Sequence, residues 1–292
     1  ARHAVPLHPK WVMNISAKTK IYGIIGRPVD HSLSPAMHNA AFRRLGMDCV
    51  YAAFDVAAGG LRKALDGIRA LGMRGVNVTV PHKEAVIKYL DSQSAEAGLI
   101  GAVNTIVNSR GRLMGHNTDT YGFMKSLRED LKFDPRGKTI FLMGSGGAAR
   151  AVGFALALAG AKRIILADAV DERSLDLACD IELKTKCECI ALRAESAGVG
   201  EMILNSQLFV NATPCGMKEA DGPIIDQGFL HRGLRVFDLI YNRETKLLKS
   251  SRQKGIRAVG GLNMLLYQGA RAFELWTGRR APIEIMRKAI KM

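Results

Sequence analysis

The run "GVNVTVPHKE", Gly75 to Glu84, combines a strand pattern with a proton-transfer group. Val76, Val78 and Val80 alternate with Asn77 and Thr79, which places the valines on one face and the polar pair on the other. Lys83 follows Pro81 and His82 at the end of the run. A lysine there can act as acid or base if its surroundings tune it. A nearby carboxylate would favour its charged form and burial would oppose it. "GHNTDTYG" supplies such a carboxylate, Asp119, beside Asn117 and Thr118. "HSLSPAMHN" places Ser32 and Ser34 two apart, where hydroxyls and helix amides can bind a carboxylate. "AVNTIV" offers Asn104 and Thr105, and "GLNMLLYQGA" offers Gln268. Each group has a plainer alternative: N-capping for the serines and Asp119, or a solvent-facing strand edge for Asn77 and Thr79.

A second constellation is "TIFLMGSGGAARA". Gly144, Gly146 and Ala149 fit G-x-G-x-x-G/A between an apolar strand and a helix. The first glycine permits the tight turn and the second lets backbone approach a pyrophosphate. The small residue at 149 allows close helix–strand packing, and the helix start supplies amide donors. The next strand ends at Asp168, where a carboxylate can accept from ribose hydroxyls and repel a 2′-phosphate. The expectation is therefore NAD over NADP, with NADP still possible because Arg173 lies close by in sequence. Capping of the next helix is the alternative role for Asp168.

These residues require strands that end level with one another. Short β-branched runs alternate with helical stretches from Lys20 onward, which argues an α/β fold with largely parallel sheets. Strands are expected at Ile21–Gly26, Val50–Val56 and Arg74–Val80, with a strand pair across Ala102–Asn117. Helices are expected at Pro35–Leu45, capped by Ser34, at Gly60–Leu71 and at Lys83–Leu90. The second half runs strand, glycine loop and helix, then strands near Arg163, Glu188, Leu208 and Leu234, with a helix over Glu172–Thr185. Two helices split by "GRRAP" close the chain. The halves meet between Asp119 and Gly137.

The 292 residues are 48% hydrophobic and 24% charged, an ordinary globular profile of roughly two domains. No apolar run reaches the roughly 20 residues of a membrane span, and the basic start of the chain has no signal-like apolar core. Five cysteines without C-x-x-C, and histidines without ligand spacing, argue against disulfides and a metal. The net charge is +15, but no basic block appears and aromatics are 6%, which disfavours a nucleic-acid role. A cytoplasmic monomer or homodimer, with no membrane partner, is the expectation.

The ordered motifs "HSLSPAMHN", "NVTVPHK", "GAVNTI", "NTDTYG", "GSGGAAR", "NATPCGM", "DLIYN" and "GLNMLLYQGA" resemble the shikimate/quinate dehydrogenase family from about Ile21 to Met286. The resemblance implies a two-domain α/β fold, with residues 20–122 and 261–292 forming a substrate domain. Residues 123–260 would be a Rossmann-type cofactor domain, and residues 1–19 a flexible extension. It implies Lys83 and Asp119 as the catalytic pair. Ser32 and Ser34 would hold the substrate carboxylate. Thr79, Asn104 and Gln268 would hold ring hydroxyls, with Asn77 in support. Gly144, Ser145, Gly146, Gly147, Ala148 and Asp168 would bind the dinucleotide, with Thr213, Tyr241 and Gly260 near the nicotinamide or the cleft. The implied reaction is reversible oxidation of a ring alcohol in shikimate, quinate or both. "ADAVDER" after the second cofactor-domain strand departs from the NADP-using Asn-Arg-Thr pattern and resembles the NAD-using and dual-specificity branch, which includes quinate/shikimate dehydrogenases. A paralogue acting on another cyclohexane carboxylate, and a silent NAD-binding regulator, remain open alternatives. The paired Lys83 and Asp119 speak against the regulator.

Overall fold

The computed structural model describes residues 15–291. The polar shelf and its lysine hang from a first sheet of six strands. Its framework is β1 (Lys20–Gly26), α1 (Ser34–Arg44), β2 (Cys49–Asp55), α2 (Leu61–Ala70) and β3 (Gly75–Val78). Then come β4 (Ser92–Gln93), α3 (Ala95–Ile100), β5 (Thr105–Ser109) and β6 (Arg112–His116). The strand order is β2-β1-β3-β5-β6-β4. β1, β2 and β3 are parallel, but β5 is antiparallel to both β3 and β6. The expected largely parallel sheet is thus mixed in this half. The two-residue turn at Arg110–Gly111 has positive φ at both positions, a geometry that joins antiparallel neighbours directly.

The helix α4 (Asp119–Glu129) leads into the second sheet. Its elements are β7 (Thr139–Met143), α5 (Gly147–Leu158), β8 (Arg163–Asp168), α6 (Asp171–Thr185), β9 (Glu188–Arg193), α7 (Val199–Leu204) and β10 (Leu208–Asn211). It continues with β11 (Arg235–Asp238), α8 (Lys246–Gln253) and β12 (Ala258–Gly260). The order β12-β11-β10-β7-β8-β9 is parallel throughout and reverses direction at β7, the doubly wound dinucleotide-binding topology. The chain then returns through α9 (Leu262–Thr277) and α10 (Ile283–Ile290) to the first sheet. Leu266, Phe273 and Met286 from these helices share a core with Met37, Phe42 and Tyr51.

Apolar α5 is buried because Ala149, Val152, Phe154 and Leu156 pack in one core with Ile140, Leu142 and Ile164 of the second sheet, and with Phe123 and Leu127 of α4. No helix among the described residues is long and apolar enough to cross a membrane. Of the expected N-terminal extension, residues 1–14 lie outside the described residues, and Thr19 is tied to Asp48 by a 2.6 Å hydrogen bond.

Two local expectations change. The helix expected over Lys83–Leu90 is a series of turns ending in a 3-10 turn at Ile87–Tyr89. The Lys83 carbonyl accepts from Val103 N at 2.7 Å, and that competes with the i,i+4 ladder a helix needs. Ser34 is also not the cap. α1 begins at Ser34, and its amide is accepted by Ser32 Oγ at 3.3 Å.

Candidate active site

Lys83 and Asp119 are 36 residues apart in sequence and meet in space. Lys83 Nζ lies 2.7 Å from Asp119 Oδ2, with both side chains largely buried. β3 and the turn after it carry the lysine, and the first residue of α4 carries the carboxylate. Asp119 does not cap its helix through its side chain. Its Oδ1 instead accepts from Asn104 Nδ2 at 2.8 Å. One carboxylate oxygen is thereby held by an amide while the other faces the lysine.

Asn104 is the hub of this network. Its Nδ2 also lies 2.9 Å from Thr118 Oγ1 and 3.3 Å from Gln268 Oε1, and its Oδ1 accepts from Thr118 N at 2.7 Å. Asn77 Nδ2 donates to Asn104 O at 3.1 Å and to Thr105 Oγ1 at 3.0 Å. The buried Tyr51 hydroxyl donates to Asn77 Oδ1 at 2.7 Å and is hydrogen-bonded to Ser34. Burial holds that phenol well above its ordinary range, so it remains a protonated donor. Ser34, Tyr51, Asn77, Asn104, Asp119, Lys83 and Gln268 thus form one connected set. Ser32 joins it through the Ser34 amide. Thr79 is half-buried where β3 ends, against Gly26 of β1. Tyr241 is half-buried and lines a cavity of about 340 Å³ with Gly260.

The glycine loop closes over the lysine. Gly144 has φ +105°, a backbone region that side chains disfavour. A Cβ at Gly147 would fall 2.9 Å from Lys83 Cβ, so the first residue of α5 packs against the stem of the Lys83 side chain. Three observations fit a bound pyrophosphate. The space beyond Gly146 is open, the α5 N-terminus faces it, and the buried Ser145 hydroxyl has no hydrogen-bond partner among the described residues. Ala148 follows in the first turn of α5.

Asp168 ends β8, level with Arg193 of β9. Its Oδ1 accepts from Val170 N at 3.0 Å, so it orders the turn before α6 without being that helix's N-cap. Thr213 is held by Asn211 Oδ1, and Asn211 Nδ2 bonds Asp238 Oδ1 at 3.0 Å. Burial raises the Asp238 carboxyl despite its hydrogen bonds from Thr245, Ile240 and Asn211. Sequence reading missed Tyr51, Asn211 and Asp238. The last two carried a signal: a polar residue directly after consecutive apolar residues at a strand end. Tyr51 carried none, because tyrosine in a strand reads as core.

Comparison with known proteins follows from this geometry. A family model described as the shikimate dehydrogenase substrate binding domain matches residues 24–106. A model of the shikimate 5′-dehydrogenase C-terminal domain matches residues 261–291. The chain is 46% identical over 281 residues to a shikimate dehydrogenase (NADP(+)) of Methanopyrus kandleri, covering 95% of this chain and 97% of that one. It belongs to the shikimate dehydrogenase family. A second relative, the shikimate dehydrogenase (NADP(+)) of Moorella thermoacetica, is 47% identical, over 96% of this chain and 95% of its own. The shikimate 5-dehydrogenase of Listeria monocytogenes, solved with shikimate and NAD, superposes with a TM-score of 0.86 at 38% identity, covering 95% and 98%. The family has the expected two-part α/β architecture. The expected preference for NAD finds no support in the two relatives named for NADP(+).

Proposed function

We propose that this chain reversibly oxidises a ring hydroxyl of shikimate to the ketone, with NAD or NADP as hydride acceptor. The carrying observation is the 2.7 Å contact between Lys83 Nζ and Asp119 Oδ2 directly beneath the Gly147 start of α5. On this reading Lys83 is an acid–base group between a polar shelf and a dinucleotide loop. Relatives named as shikimate dehydrogenases support the substrate, and the chain's resemblance to them extends over nearly all of both chains.

On this reading, residues 20–122 and 261–292 hold substrate and residues 123–260 hold cofactor. Ser32 and Ser34 take the carboxylate, and Thr79, Asn104 and Gln268 take ring hydroxyls, with Asn77 behind them. A lysine ammonium has three donors. One is spent on Asp119, which leaves Nζ directions for the substrate oxygen. As the neutral amine Lys83 accepts the hydroxyl proton during oxidation and becomes the ammonium, and as the ammonium it returns that proton during reduction. Asp119, fixed by Asn104, orients the lysine and offsets its charge. A bound nicotinamide would supply the hydride acceptor, at its C4. Gly144 through Ala148 would hold the cofactor's pyrophosphate and Asp168 its adenosine ribose; Thr213 and Gly260 would lie near the nicotinamide, with Tyr241 on the substrate side of the cleft.

The test is a four-way rate comparison: shikimate or quinate, each with NAD or NADP, followed by nicotinamide absorbance. Turnover of shikimate with at least one cofactor is expected. Binding of cofactor with no turnover of either acid would overturn the reading in favour of another cyclic substrate or a regulator.

A further inference from the structure

The ribose end of the cofactor site carries a second basic group that the sequence motifs do not mark. β8 and β9 are parallel neighbours whose last residues, Asp168 and Arg193, are register partners. Ala194 N donates to Asp168 O at 2.9 Å, so the two strand ends leave the sheet together. The first turn of α6 is tied to the same place. Ser174 Oγ bridges Asp171 O at 2.9 Å and Leu192 O at 3.2 Å. Arg193 is the register partner of Asp168 at this corner. Its guanidinium is hydrogen-bonded to Glu195 and lies in the field of Asp171 and Glu172, which together hold its proton more firmly.

The charges at this corner are therefore mixed. Asp168, Asp171, Glu172 and Glu195 would repel a 2′-phosphate, and a bare acidic corner predicts strict use of NAD. Arg193 and Arg173 oppose them. Arg193 Nε is 2.9 Å from Glu195 Oε2, and both side chains are more than half exposed. An exposed pair of this type is weak and exchangeable, whereas a guanidinium matches a phosphate with two parallel hydrogen bonds.

Resting on the dinucleotide reading above, we propose that Arg193 is a specificity-determining residue that accepts the 2′-phosphate of NADP by exchanging Glu195 for it. Asp168 serves the ribose diol of NAD at the same corner, so one site takes both cofactors. Arg193 reaches the corner from β9, outside the β8–α6 turn in which cofactor preference is normally read.

The test measures binding of NAD and NADP to the whole protein by calorimetry, without substrate, for the natural chain and for Arg193→Gln, Glu195→Gln and Arg173→Gln. Steady-state KM values for both cofactors accompany it. Arg193→Gln should weaken NADP by roughly tenfold or more, the loss of a charged hydrogen bond, and leave NAD within about twofold, within ordinary context variation. Glu195→Gln should tighten NADP, because it frees the guanidinium and removes a repelling charge. Unchanged NADP affinity in Arg193→Gln overturns the proposal, as does an equal loss for both cofactors. Discrimination confined to Arg173→Gln also overturns it. A natural chain that binds NAD but not NADP sinks this inference and spares the enzyme assignment. A chain that binds neither sinks both.

Discussion

At the residue scale, the proposed chemistry rests on a lysine whose carboxylate partner is itself restrained. Asp119 spends one oxygen on Asn104 and the other on Lys83, so the ion pair has a defined direction. Replacing Lys83 by Ala should lower kcat by on the order of 10²- to 10⁴-fold, the usual range for an acid–base group, with a much smaller rise in KM. Stopped assays at saturating shikimate check this. A raised KM at unchanged kcat would make Lys83 a binding residue instead.

At the element scale, α1 and β2 hold the shelf through His38. This histidine is fully buried, stacks on Tyr51 with ring centroids 4.5 Å apart, and has no hydrogen-bond partner for either nitrogen among the described residues. Burial depresses its pKa from 6.5 to about 3. The unfolded chain therefore takes a proton on His38 near pH 6.5 that the native state refuses until about pH 3. Stability from this group is present above pH 6.5 and is lost as pH falls through that window, by up to about 1.4 kcal/mol per unit. Urea unfolding from pH 7.5 to 4.5 should show this slope in the natural chain and a shallower one in His38→Leu. Equal slopes would mean that His38 gains a proton in the native state. The same scale explains the failed helix after Lys83. Periodicity favoured it, but a tertiary hydrogen bond from Val103 took the carbonyl it needed.

At the scale of the whole molecule, the net charge of +15 would, on the proposed function, face substrates that are all anions. Positive potential raises encounter rates with anions, and salt screens it. Between about 0.01 M and about 0.2 M ionic strength, where the Debye length shrinks from about 30 Å to below 10 Å, kcat/KM should fall severalfold while kcat holds. A flat kcat/KM across that range would mean that the excess charge is not focused on the cleft.

The sequence by itself determined the α/β alternation, the glycine loop, the order of strands carrying polar ends and the identity of Lys83 and Asp119 as candidates. These are local: they follow from periodicity, turn chemistry and residue type within short windows. Through motif order it also implied Ser32, Ser34, Asn77, Asn104 and Gln268 as candidate site residues. Tertiary structure decided what depends on distance between segments. It joined Lys83 to Asp119 and made Asn104 the hub. It buried Tyr51 under the shelf and turned β5 antiparallel. It also set Arg193 of β9 beside Asp168 of β8, 25 residues away in sequence. Side-chain partners of this kind are selected by packing after the backbone elements meet, so no local pattern records them.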